Sequence, residues 1–184
     1  MYEKLKDIIY KKSQINTFHL SRTYNKNCFI LKETSKDAKC QEITLIGFEN
    51  ISTTFGFELD TVGIKKISQY FENGKGLDKG NDGIIFTKLK DKNYVFICEL
   101  KDSAKGHISQ FRSTSSFVDY LKSILKRFYE IETNDLIFKY IVFSKYGKNT
   151  KNSKGKYISR NIEGFDVYNM KCCDKVEYYI ESFI

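Results

Sequence analysis

The segment of residues 81–101 constrains the fold more than any other part of the chain. It reads NDGIIFTKLKDKNYVFICELK, in which apolar runs at residues 84–86 and 94–98 flank a mostly polar stretch at residues 88–93. Runs rich in β-branched and aromatic residues predict strands, and a short polar stretch between two such runs predicts a turn. The sequence therefore predicts a β-hairpin.

Charged side chains are expected at the open end of this hairpin. Successive side chains in a strand point to opposite faces, so Glu99 and Lys101 share one face while Leu100 points into the core. Antiparallel pairing across the turn brings Asp82, at the start of the first strand, close to Glu99. Acids at the ends of apolar strands are costly to place without a partner. We therefore expect two carboxylates and one ammonium group to converge at one edge of a sheet.

This set of groups suits a hard divalent cation. Mg²⁺ takes oxygen ligands and usually keeps several waters when one or two carboxylates hold it. Such a cation lowers the pKa of a bound water and neutralises charge on a phosphate, and a nearby lysine can orient the attacking water. The predicted chemistry is hydrolysis of a phosphodiester.

The order of these residues resembles the PD-(D/E)xK nuclease superfamily, which has the restriction-endonuclease-like fold. Asp82 precedes an apolar strand and a turn, and a second apolar strand ends in Glu99-Leu100-Lys101. The resemblance implies an α/β sandwich with a mixed central β-sheet flanked by helices. It also implies that Asp82 and Glu99 bind Mg²⁺ or Mn²⁺, that Leu100 contributes its backbone carbonyl, and that Lys101 is catalytic.

The resemblance suggests two supporting residues and shows one departure. Members of the family often have a helix before the hairpin that lends an acidic side chain to the site. Apolar spacing over residues 53–71 predicts such a helix, with Glu58 as a candidate metal ligand or, alternatively, a solvated helix residue. Gln110 corresponds to a glutamine that several members place near the metal, although an exposed helix glutamine fits the pattern equally. The departure is Asn81, where the family has proline.

The charge of the chain is compatible with nucleic acid as a partner. A net charge of +8 and a pI near 9.1 favour binding to a polyanion. Lysine-rich composition also arises in AT-rich genomes, so the charge alone does not decide the matter. The resemblance alone favours DNA over RNA. The candidate phosphate contacts lie after the hairpin and in a basic loop at residues 145–160, which alternatively is only a solvated connection; they are Lys105, Arg112, Ser113, Lys148 and Lys151.

The rest of the chain predicts further helices and strands. We expect a first helix at residues 1–12, two strands within residues 17–48, a long helix within residues 102–129, a buried strand at residues 136–144 parallel to the second hairpin strand, and a final strand and helix within residues 164–184. The apolar stripe expected on the long helix consists of Phe117, Tyr120, Leu121, Ile124, Leu125 and Phe128.

We expect a single nuclease-like domain over residues 1–184. It divides into an N-terminal elaboration (1–50), a catalytic core (53–145) and a C-terminal strand and helix (146–184). No stretch is apolar over the roughly eighteen residues that a membrane span needs, which predicts no membrane association. Five cysteines without CxxC spacing predict reduced thiols, no zinc and a cytoplasmic location.

Three functions fit these observations. The first is a metal-dependent endo- or exonuclease acting in restriction, repair or phage defence. The second is a catalytically inactive nucleic-acid-binding or subunit protein on the same fold. The third is an unrelated interaction protein in which the spacing arises by chance, and it predicts that Asp82, Glu99 and Lys101 lie far apart. Cutting of two strands by one small site per chain would favour a homodimer or a partner subunit.

Overall fold

A computed structural model describes residues 1–15, 19–20, 26–33, 38–59, 79–102, 106–172 and 176–184 of the chain. These residues form an α/β fold with one six-stranded and one four-stranded sheet. In chain order the elements are α1 (Tyr2–Ile8), β1 (His19–Leu20), β2 (Asn27–Lys32), β3 (Glu42–Ile46), β4 (Thr54–Phe57), β5 (Gly83–Leu89), β6 (Lys92–Lys101), α2 (His107–Tyr129), β7 (Ile137–Ser144), β8 (Arg160–Ile162), β9 (Phe165–Lys171) and β10 (Glu177–Tyr179), with short 3₁₀ helices at Lys11–Ser13, Ile51–Thr53 and Ile180–Phe183.

The larger sheet has the order β4-β5-β6-β7-β9-β8 and is mixed. Strands β5 and β6 pair antiparallel, as the hairpin prediction requires, and β7 pairs parallel with β6, as the crossover prediction requires. The hairpin turns at Lys90 and Asp91, whose φ angles of 49° and 62° are both left-handed. Two-residue loops with positive φ match the right-handed twist of the paired strands. Both predictions are confirmed.

The two faces of the larger sheet are covered by different layers. One face, called the helix face, packs Ile84, Phe86 and Ile97 in a single cluster with residues of α1 and α2. The opposite face packs alternate residues such as Ile85 and Phe96 in a cluster with the smaller sheet, whose order is β1-β2-β3-β10. The alternation of strand side chains thus gives two cores, one on each side of the sheet. A mixed α/β fold is confirmed, with helices on one face and a second sheet on the other.

The smaller sheet presses closely against the backbone next to Asp82. A Cβ atom added at Gly83 would lie 2.6 Å from Cδ2 of Leu31. Real Cβ atoms essentially never come so near to another heavy atom, so β2 packs directly on this glycine. The start of β5 is therefore held from the side opposite to the helices.

Two predicted helices are wrong where the structure describes them. Thr54–Phe57, at the start of the helix predicted for residues 53–71, is strand β4, because Phe55 and Phe57 both reach the helix face while the backbone pairs with β5. Residues 60–78 lie outside the described residues. The predicted C-terminal helix is strand β10, which pairs parallel with β3, followed by the 3₁₀ helix Ile180–Phe183.

The apolar stripe of α2 is rotated from the predicted one. The buried positions include Phe111, Thr114 and Val118 as well as the predicted Leu121 and Leu125. The predicted members Tyr120 and Phe128 are 62% and 77% exposed. Helical spacing from Phe117 gives one stripe, and the same spacing from Phe111 gives another. The packing of Phe111 against the sheet selects the second stripe.

A disulfide joins Cys40, which precedes β3, to Cys172, which follows β9, with a Cα–Cα distance of 5.6 Å and a sequence separation of 132. The prediction that all thiols are reduced is therefore wrong. The two cysteines meet because the Cys172 N–H bonds to the Ser144 carbonyl and both cysteines pack in the core between the sheets. Sequence spacing gives no indication of this contact. Cys28 and Cys98 are buried thiols outside the disulfide, and Cys173 lies outside the described residues.

We expect the Cys40–Cys172 disulfide to stabilise the fold, because a cross-link between distant residues restricts the unfolded chain. Reduction, or the substitution Cys40→Ala, should lower the free energy of unfolding by about 2–5 kcal/mol. Urea unfolding with and without dithiothreitol measures this change. The reductant should destabilise the wild type and leave Cys40→Ala unaffected. Equal stability of the oxidised and the fully reduced wild type, checked by thiol titration, would contradict the expectation.

Candidate active site

Asp82 and Glu99 lie on directly paired segments of the hairpin. Gly83 is paired with Cys98, and one residue further along the same register Asp82 lies opposite Glu99. Directly opposed residues of an antiparallel pair have Cβ atoms about 4.5–5.5 Å apart. Oδ2 of Asp82 accepts a hydrogen bond from the backbone N–H of Leu100 at 2.6 Å. The carboxylate of Asp82 is therefore anchored to the Glu-Leu-Lys segment.

Glu99 is the buried centre of the site. Its side chain is 3% exposed. Oε1 contacts Nζ of Lys101 at 3.1 Å and accepts a hydrogen bond from Nε2 of Gln110 at 2.5 Å. Oε2 accepts a hydrogen bond from Nδ2 of Asn81 at 2.7 Å. Three donors from β6, from α2 and from the residue before Asp82 thus hold both carboxylate oxygens in one orientation.

Burial raises the pKa of Glu99 above the ordinary range of a glutamate, although the charge of Lys101 and the hydrogen bonds from Lys101, Asn81 and Gln110 act in the opposite direction. Burial also raises the pKa of the neighbouring Cys98 thiol, and the negative charges of Asp82 and Glu99 raise it further. Both effects have one cause, since little water reaches this part of the sheet and negative charge is poorly solvated there. A cation close to the two carboxylates would lower the cost of ionising them.

Asn81 also belongs to this site, although the sequence marks it only as the departure from the family motif. It is completely buried, and its Oδ1 atom has no hydrogen-bond partner within the described ranges. Nearly all buried polar atoms have a partner, so an exception calls for an explanation. Its position next to Asp82 in the N-D-G turn is the sequence signal that could have identified it.

Gln110 connects the first turns of α2 to the hairpin. Besides Glu99, its Nε2 atom donates a hydrogen bond to the backbone carbonyl of Gly80 at 3.1 Å. One amide group therefore links the helix, the buried carboxylate and the segment that enters β5. The structure therefore places Gln110 in contact with Glu99, one of the site residues with which the sequence analysis grouped it.

The structure does not bring Glu58 to the acid pair. Glu58 follows β4, and its backbone N–H bonds to the Ser13 carbonyl at 2.8 Å. Phe57 and Leu59, on either side of it, pack on the helix face. Alternation therefore places Glu58 on the face opposite to that of Asp82 and Glu99. In keeping with this, the described residues contain no cluster of three or more His, Cys, Asp or Glu side chains that could hold a metal.

The predicted phosphate contacts fall into three groups. Arg112 forms an exposed ion pair with Glu163 at 2.8 Å, and Ser113 is buried in α2, so its hydroxyl does not face the surface. Lys105 lies outside the described residues. Lys148 and Lys151 are exposed in the segment after β7, where Nζ of Lys151 lies 4.7 Å from the centre of the Tyr157 ring. Two of the five predicted contacts, Lys148 and Lys151, are therefore exposed in the segment after β7.

A comparison of the chain with models of protein families, with curated proteins and with solved structures gives no match. Among the described helices, none has both the length and the apolar character that crossing a bilayer requires.

The raised pKa of Glu99 predicts how stability depends on pH. The folded protein binds the Glu99 proton more tightly than the unfolded chain, whose glutamate pKa is about 4.3. The contribution of Glu99 to stability is therefore fully present below about pH 4.3 and is lost as the pH rises through the raised pKa. The free energy of unfolding of the wild type minus that of Glu99→Gln should fall across this window, by at most about 1.4 kcal/mol per pH unit.

Urea titrations over a pH series in EDTA measure this difference. Lys101→Met removes the positive charge that lowers the pKa of Glu99 in the folded protein, so the upper end of this window should move to higher pH in a Lys101→Met background. A difference that does not vary with pH, or that increases with pH, would mean that Glu99 is not held in a poorly solvated environment.

Proposed function

We propose that this protein is a metal-dependent nuclease that hydrolyses phosphodiester bonds, with DNA as its substrate. One observation supports the proposal above all others. Asp82 and Glu99 lie opposite each other in the hairpin register, and Lys101 contacts the buried Glu99 carboxylate at 3.1 Å. The two strands of the hairpin thus supply two acids and an amine at one sheet edge. If the spacing of these residues had arisen by chance, the three groups would be expected to lie far apart.

The residues of the site fit a hard divalent cation such as Mg²⁺ or Mn²⁺. The donors are the carboxylates of Asp82 and Glu99 and the unpartnered amide oxygen of Asn81, all of the oxygen type that such ions prefer. Mg²⁺ is commonly held by one or two carboxylates and keeps several waters, so two acids are sufficient. The predicted carbonyl ligand Leu100 is adjacent, with its N–H bonded to Asp82. A cation bound there would lower the pKa of a water and neutralise charge on the phosphate.

Each protein group has a distinct role in this proposal. Asp82 and Glu99 bind the cation. Lys101, whose side chain is 25% exposed, lies between the buried acid and solvent, where its ammonium group can orient a nucleophilic water and stabilise charge on the phosphate. Gln110 positions Glu99 by holding it to the Gly80 carbonyl. The net charge of +8 favours a polyanionic substrate.

The test is incubation of the purified protein with plasmid, linear duplex and single-stranded DNA in Mg²⁺, Mn²⁺ or EDTA. Cleavage should require the divalent cation. The substitutions Asp82→Asn, Glu99→Gln and Lys101→Met should each lower the rate by about 10²-fold or more, because each removes a cation ligand or a charge acting on the transition state.

A matched control is the exposed ion pair of Asp119 and Lys122 in α2, whose charged atoms lie 3.2 Å apart. Asp119→Asn and Lys122→Met remove the same kinds of charge outside the site and should leave the rate unchanged. Cleavage that survives EDTA, or that survives any of the three site substitutions, would contradict the proposal. Retained DNA binding without cleavage in any condition would favour the catalytically inactive binding protein.

A further inference from the structure

A groove of about 370 Å³ lies two strands away from the candidate site, next to β9 of the larger sheet. It is formed by the segment after β7 and by strands β8 and β9. Its lining includes Tyr146, Lys148, Ile158, Arg160, Ile162 and Asn169. Lys148 and Arg160 both belong to the basic loop of residues 145–160 that the sequence indicates as a candidate contact with a phosphate backbone.

The groove and the acid pair lie on the same face and at the same edge of the sheet. Glu99 pairs with Val142 of β7, and Val142 pairs with Asn169 of β9. Val142 and Val167 both pack on the helix face, so by alternation Asn169 lies on that face as well. Glu99 and Asn169 are therefore two strand spacings apart in one row, or about 10 Å.

The lining combines the chemistry of a phosphate site with that of an apolar platform. Lys148 and Arg160 are exposed, and neither forms an ion pair with a carboxylate among the described residues. Arg112 contrasts with them, since Glu163 neutralises it. Tyr146 and Ile158 are 68% and 48% exposed, and both line the groove beside these cations. Cations beside exposed aromatic and aliphatic surface suit a phosphate with an unpaired base attached to it.

The wall that carries Tyr146 and Lys148 is fixed to β9. The Lys148 N–H donates to the Asn169 carbonyl at 2.9 Å, and the Asn149 side chain accepts from the Lys171 N–H at 2.9 Å. A Cβ atom at Gly147 would lie 1.9 Å from the Met170 carbonyl oxygen, so this residue approaches the neighbouring backbone in a way that only glycine allows. Tyr146 and Lys148 are thus presented on either side of a tightly packed glycine.

We propose that this groove binds an unpaired nucleotide of a single DNA strand next to the phosphate that the acid pair receives. Tyr146 stacks on the base above Ile158 and Ile162, and Lys148 and Arg160 bind the adjoining phosphate. A base within a duplex is stacked and paired, so it cannot present its face to Tyr146 without leaving the helix. The substrate class is therefore single-stranded or frayed DNA. This inference rests on the proposed nuclease function, because it extends that function by naming its substrate.

Binding of a fluorescently labelled single-stranded 12-mer and of the same sequence as a blunt duplex tests the inference. The full-length protein is titrated in EDTA, so that the measurement does not depend on cleavage. The single strand should bind more tightly than the duplex. Tyr146→Ala should weaken single-strand binding by roughly 5- to 100-fold, as expected for the loss of one stacked base. Lys148→Ala should lower the slope of log K against log salt by about 0.7, the share of one phosphate contact.

Three further variants make the test specific. Arginine binds phosphate through its positive charge and through its planar set of donors. Arg160→Lys keeps the charge and loses the planar donors, so it should retain more affinity than Arg160→Ala. Tyr120→Ala and Arg127→Ala remove an exposed aromatic and an exposed cation of α2 outside the groove and should leave binding unchanged. Thermal melting confirms that each variant is folded.

Equal affinity for duplex and single strand, or single-strand binding unaffected by Tyr146→Ala and Arg160→Ala, would overturn the inference. These results differ from those that would overturn the nuclease proposal. Metal-dependent cleavage with no role for the groove would retain the proposed function and remove the inference. Groove-dependent binding without any cleavage would retain the inference and remove the proposed function.

Discussion

The burial of the Glu99 carboxylate is the constraint on which the rest of the site depends. An ionised acid that is 3% exposed is stable only if its charge and its lone pairs are matched. The chain meets this need from three directions: Lys101 from the same strand, Gln110 from the helix that follows, and Asn81 from the turn before β5. These contacts tie the entry to the hairpin, its exit and the helix into one unit.

The parallel pairing of β6, β7 and β9 extends this unit across the sheet. The strands end at one edge, so the acid pair on β5 and β6 and the groove beside β9 face the same side and share a row of paired residues. The smaller sheet supports that edge from behind, through Leu31 against Gly83 and through the disulfide of Cys172. In an α/β sheet, sites commonly form outside the carboxyl ends of the parallel strands, and this arrangement follows that rule.

Local sequence signals predicted the elements that carry the candidate site, and nonlocal packing decided the rest. The hairpin, the helix after it and the parallel strand β7 followed from apolar runs, turn residues and the crossover rule, so the proximity of Asp82, Glu99 and Lys101 could be anticipated. Strand β4 could not, because the spacing of Phe55 and the residues after it also fits a helix, and only pairing with β5 decides between them. The Cys40–Cys172 disulfide depends on a contact between two segments 132 residues apart, and no local pattern encodes their meeting.

The proposal that Asp82 and Glu99 together bind a divalent cation is tested most directly by locating a bound ion. Crystals of the wild type soaked in MnCl₂ and measured near the manganese absorption edge would show the ion by its anomalous scattering. Metal binding by the acid pair predicts one peak per chain within coordination distance of carboxylate oxygens of both Asp82 and Glu99, and no peak there in Glu99→Gln crystals soaked in the same way. A well-ordered site at saturating MnCl₂ without a peak between the two acids, or with manganese bound only elsewhere, would contradict it.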